Sequence, residues 1–165
     1  MTRSRMVPRP PSPSPLMTNK TSSRFGTDAW LLRGIRSLPG RLQLARGRLS
    51  FTAFGAGNFR PRQLRALERD FGRAELTEPL RDGQTTVVFD VPFSAVQAVR
   101  FPWYYFSGGL HLTLNGECYR FGFDEPSNTK GAGEGGDLIG SAGRARRRGK
   151  AWRSMLTDVD SFPSG

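Results

Sequence analysis

The sequence predicts a mainly β domain: a strongly bent antiparallel sheet or barrel, capped by a C-terminal α-helix and carrying a helical insertion around residues 61–80. Three observations lead there. Two stretches alternate apolar and polar residues across two-residue turn signals, the pattern of hairpins with one buried face. Near the C-terminus the apolar spacing changes to a helical period around one large anchor, Trp152. The chain has 165 residues, which suits one compact domain with tails and not two separate cores.

The elements follow in order. Residues 1–27 read as a disordered, basic tail, because the Pro/Ser run from Pro8 to Pro15 can form neither helix nor ladder. The tail has no apolar core of the kind a secretory signal needs. A PxxP ligand reading is weaker than a plain tail. The domain itself is expected over 28–158. Its first apolar piece, Ala29 to Ile35, is not periodic enough to decide between strand and short helix. From Pro39 to Phe54 the period is two. A turn at Arg46-Gly47 sets Leu44 opposite Leu49 and Leu42 opposite Phe51, all on one face.

Residues 60–82 change period. Pro61 suits a first helical turn, Leu64, Leu67 and Phe71 share a face, and Gly72 is a stop. Ala74 to Leu80 is a second short helical piece. Strands are expected at Thr85 to Val91 and at Val96 to Tyr105, the latter broken by Pro102. Asn115-Gly116 is a preferred hairpin turn. It pairs Leu114 with Glu117 and Leu112 with Tyr119, and puts Leu110, Leu112, Leu114, Tyr119, Phe121 and Phe123 on one face. A Gly-rich loop over 126–140 precedes the terminal helix, whose apolar stripe holds Ala142, Ala145, Gly149, Trp152 and Leu156. Residues 159–165 read as a second disordered tail.

The formal net charge is +11, and 22 of the 25 basic residues are Arg. Residues 1–23 contribute +4, 24–126 contribute +4 and 127–165 contribute +3, so the tails hold most of the excess. Such a charge attracts anions of several kinds. No apolar run is long enough to cross a membrane as a helix. Cys118 is the only cysteine and His111 the only histidine, which excludes a disulfide framework and a Cys/His zinc site. No metal and no cofactor is expected.

Four features invite a chemical reading. Cys118 and His111 fall diagonally on one hairpin face, but no orienting acid stands near, and a polar sheet face accounts for them better than a catalytic dyad. The run Gly131 to Gly136 contains Glu134 and is followed by Asp137, both of which would repel phosphate, so a linker is the better reading of it. Arg144, Arg146, Arg147, Arg148 and Lys150, with Arg153, form a basic helix. They can bind phosphates, or can be a solvated face whose stems cover apolar surface. Phe101 to Phe106 holds five aromatics in six residues. Trp103, Tyr104, Tyr105 and Phe106 are partner-binding candidates if they are not buried.

The stretch Leu38-Pro39-Gly40-Arg41-Leu42-Gln43-Leu44 through Leu49-Ser50-Phe51 resembles the opening hairpin of the pleckstrin-homology superfold in its GRAM-type bacterial form. Phe89-Asp90-Val91-Pro92-Phe93-Ser94-Ala95-Val96-Gln97-Ala98-Val99 resembles the strand-turn-strand that follows in those domains. The resemblance covers about residues 30–158. It implies a seven-stranded barrel closed at one end by the terminal helix, and a module that binds lipid headgroups or protein segments without chemistry. Two departures stand out. The helical insertion is large, and the basic headgroup motif is thin, with Arg46 and Arg48 at the first turn and Arg41 nearby.

The expectation from all this is a non-enzymatic binding module in the cytoplasm, weakly and peripherally attached to an anionic membrane surface or lipid headgroup. Arg41, Arg46, Arg48, Arg144, Arg146, Arg147, Arg148 and Lys150 are its anion-binding candidates. The alternative is a protein-interaction scaffold using the aromatic strand 101–106. Non-specific nucleic-acid binding through the Arg-rich helix comes third.

Overall fold

The computed structural model describes residues 24–102, 108–126 and 138–160. Its strands are β1 (Phe25–Arg33), β2 (Arg36–Ala45), β3 (Arg48–Phe54), β4 (Thr85–Pro92), β5 (Val96–Arg100), β6 (Gly109–Leu114) and β7 (Glu117–Gly122). The helices are α1 (Pro61–Phe71), α2 (Thr77–Arg81) and α3 (Leu138–Asp160), and a single 3-10 turn (Phe93–Ala95) links β4 to β5. All seven strands join one antiparallel sheet in the order β4-β3-β2-β1-β7-β6-β5. The two edge strands, β4 and β5, are not hydrogen-bonded to each other, so the sheet is bent but open and not a closed barrel.

The bend can be read from the core. Flat neighbouring strands lie about 4.8 Å apart, which would separate β3 from β7 by about 14 Å. Yet the Phe51 ring on β3 meets the Phe121 ring on β7 edge-on at 5.1 Å. Phe89 on β4, one strand further out, is 6.4 Å from Phe121. The sheet therefore curls its apolar face inward over Leu42, Leu49, Phe51, Phe89, Leu112 and Phe121, all buried. Gly40 on β2 permits the curl, since a Cβ there would run into the Thr52 carbonyl and the Phe51 ring.

Both hairpin registers are those the turns dictate: Leu44 pairs with Leu49, Leu42 with Phe51, Leu114 with Glu117 and Leu112 with Tyr119. Arg46 and Asn115 adopt left-handed φ of 52° and 52°, each followed by a left-handed glycine. Other elements differ from the sequence reading. The piece left open between strand and helix is β1, a central strand, and it begins at Phe25, before the expected boundary at 28. The strand expected from Val96 to Tyr105 ends at Arg100, before Phe101 and Pro102. The terminal helix starts at Leu138, inside the stretch read as loop to 140. The tail 1–23, the Gly run 131–136 and the aromatics 103–106 lie outside the described residues.

Two helices close opposite ends of the curled sheet. Pro61 opens α1, Gln63 accepts from the Arg60 N–H at 2.9 Å, and Gly72 ends it with φ 58°. Leu64 and Leu67 are buried, and the Phe71 ring sits 5.0 Å from both Phe89 and Tyr119, bridging β4 and β7. The Tyr119 hydroxyl donates to Asp70 at 3.2 Å, and Asn115 donates to the Asp70 carbonyl at 3.2 Å. Burial and then the Asp70 charge push the Tyr119 pKa above its usual value, so the phenol stays a donor. α3 closes the other end, at Phe25 and Phe123.

Candidate anion-binding face

α3 is anchored by Ala145, Gly149, Trp152 and Leu156, which recur every three or four residues and are buried. Trp152 is fully enclosed. Its indole N–H donates to the Thr27 hydroxyl at 3.0 Å, its ring meets Phe25 edge-on at 4.9 Å, and it stacks with Phe123 at 6.3 Å. This geometry dictates where the charges point. Arg144, Arg146, Arg147, Lys150 and Arg153 are all exposed, the first four of them away from the anchor. No acidic residue occurs between Leu138 and Thr157. The face therefore repeats positive charge over ten residues, about 15 Å of helix.

The eight candidates divide. Arg144, Arg146, Arg147 and Lys150 share the outward arc. Arg148 does not. It is half-buried and donates to the Phe123 carbonyl at 3.1 Å, tying α3 to the end of β7. Arg41 pairs with Asp28 at 3.2 Å and also donates to the Gly26 carbonyl. Arg48 pairs with Asp90 at 2.8 Å and donates to its carbonyl at 2.9 Å. Both pairs lie on the solvent side of the sheet, where an ion pair adds little stability but cancels the local field. Arg46 stands exposed at the β2–β3 turn. That turn lies at the α3 end, because Phe25, which touches Trp152, pairs with Leu44.

Two more bases share this end: Arg24, which the sequence reading passed over, and Arg153, which it grouped with the basic helix. Arg24 donates twice to Gln43, at 3.0 and 3.2 Å. The Arg153 guanidinium lies 5.1 Å from the centre of the Phe101 ring, a cation–π contact. Four residues after the buried Gly149, Arg153 lies at the edge of the anchored side of the helix. The contact with Phe101 is visible only once β5 ends where it does.

The remaining polar features are structural neighbours. Arg100 on β5, His111 on β6 and Arg120 on β7 are cross-strand partners in one row. Burial, then Arg120, then Arg100 lower the His111 pKa, so the imidazole is neutral at neutral pH. Cys118 is exposed and sits opposite Thr113, diagonal to His111. Among the described residues no three His, Cys, Asp or Glu side chains are grouped to hold a metal ion. No helix among them is long and apolar enough to cross a membrane. No protein-family model matches the chain, and no curated protein and no solved structure matches it.

Proposed function

We propose that the chain is a non-enzymatic binding module that rests the outward face of α3, together with Arg46, on an anionic membrane surface. The observation that carries this reading is the acid-free basic arc of α3, held rigid from behind by the buried Trp152. Each base near such a surface contributes about 1 kcal/mol. Arg144, Arg146, Arg147, Lys150 and Arg46 together give a weak attachment that needs no pocket. Between Arg144 and Arg153 the outward arc carries no large apolar side chain, so contact there stays at the headgroup level. In this reading the chain works in the cytoplasm against an anionic leaflet, and membership of the pleckstrin-homology superfold in its GRAM form is part of the same proposal. Arg41 and Arg48 drop out, because Asp28 and Asp90 already neutralise them.

Co-sedimentation with vesicles tests it. Vesicles rich in phosphatidylserine are expected to pull down the protein at low salt and much less at physiological salt, where the screening length falls to about 8 Å. Neutral vesicles should leave it in the supernatant. Failure to bind anionic vesicles at low salt, with retention of duplex DNA or RNA under the same conditions, would hand the same arc to nucleic acid instead.

A further inference from the structure

The ladder between β1 and β7 stops at Leu32 opposite Arg120, although β7 begins three residues earlier. The two strands diverge there, and a cavity of about 260 Å³ opens between them. Leu31 and Leu67, both buried, line it together with Arg33, Glu117, Cys118 and Arg120. The volume is below the roughly 300–1,000 Å³ of sites for drug-sized ligands, so it suits something smaller.

Backbone groups also face the gap. Residues flanking a two-residue hairpin turn exchange hydrogen bonds, and the next pair does not. Leu114 and Glu117 flank Asn115-Gly116, so Cys118, opposite Thr113, turns its N–H and C=O away from β6 and toward β1. β1 offers no ladder partner at that level. The wall charges are of both signs. Arg33 approaches Asp70 at 3.7 Å, which leaves most of its five donors unengaged. Glu117 is exposed at the rim.

We propose that this seam binds a zwitterion of amino-acid size, with its carboxylate held by Arg33, Arg120 and the Cys118 N–H, and its ammonium held by Glu117. The site lies at the α1 end of the sheet, away from the basic arc of α3, and stands or falls independently of membrane attachment. The mixed charge of the walls is what favours a zwitterion over a plain anion. A simple carboxylate leaves Glu117 unmatched, and a simple amine leaves the Arg120 guanidinium and the unengaged donors of Arg33 unmatched.

The chain carries its own reporters, since Cys118 is the only cysteine and His111 the only histidine. Cys118 lines the cavity, and Arg120 is the cross-strand partner of His111. Full-length protein would be mixed with glycine, alanine or leucine at about 10 mM, with acetate, ethylamine and inorganic phosphate as comparisons. The amino acids are expected to slow alkylation of Cys118 and to shift the single His111 ring signal in NMR. Acetate, ethylamine and phosphate should bind at least about tenfold more weakly. Arg120→Gln and Glu117→Gln should each lose about tenfold in affinity with unchanged circular dichroism. Should Arg120→Gln fail to fold, Glu117→Gln, at an exposed position, decides alone. No protection by any amino acid, equal binding of acetate or phosphate, or undiminished binding by the Glu117 variant would each overturn the proposal.

Discussion

Trp152 does two things at once. It fills the Phe25/Phe123 end of the curled sheet, and its indole N–H satisfies the Thr27 hydroxyl on a strand 125 residues away. Trp152→Ala should cost about 3–5 kcal/mol, the range for deleting a large buried aromatic, and Thr27→Val about 1 kcal/mol for the lost hydrogen bond. Denaturant midpoints measure both. His111 gives a pH test. Its folded pKa is below the usual 6.5, so below that pH the unfolded chain takes up the proton more readily than the folded one. The stability present above 6.5 is lost as pH falls through the folded value, then levels off. Between about pH 7 and pH 5 the unfolding midpoint of the wild type should drop, and that of His111→Asn should drop less. Glu68 acts in a lower window. The Thr77 N–H holds its carboxylate below the usual 4.5, so its contribution survives to that pH and is lost beneath it.

Elements were legible in the sequence to the extent that their determinants are local. Arg46-Gly47 and Asn115-Gly116 fix turn geometry within two residues, and the alternation on each side then permits one register. β1 was not legible, because it is a central strand. Trp30 and Leu32 on its outer face are apolar and half-buried, opposite the buried Ala29 and Leu31, so the apolar–polar alternation disappears from the sequence. The basic arc of α3 was legible from helical spacing. The neutralisation of Arg41 and Arg48 was not, because their partners arrive from other strands, 13 and 42 residues away. The seam cavity depends on where two strands part company, which no local pattern encodes. At the α1 end, Phe71 joins β4 to β7 through Phe89 and Tyr119. Because Phe71 is only partly buried, Phe71→Ala should cost about 2 kcal/mol, less than a fully enclosed phenylalanine. A thermal melt with a lower midpoint and unchanged far-UV spectrum is the expected result.

At the scale of the molecule, one open sheet is curled around a single core and stopped at both ends by helices. The α1 stop carries a Tyr–Asp–Arg cluster and the seam. The α3 stop carries the densest run of bases in the chain, with no acid between Leu138 and Thr157. The division follows from chemistry. A helix that must bury Ala145, Gly149, Trp152 and Leu156 on one side can present only its other side, and between Arg144 and Arg153 that side carries Arg and Lys and no acid. The most direct test of the account is co-sedimentation of wild type and an Arg144→Glu/Arg147→Glu/Lys150→Glu variant with phosphatidylserine-rich vesicles at low salt. These three residues are exposed and lie off the anchor, so circular dichroism should be unchanged. The variant exchanges three positive charges for three negative ones. The account predicts that it stays in the supernatant while the wild type sediments. Equal sedimentation of the two would contradict it.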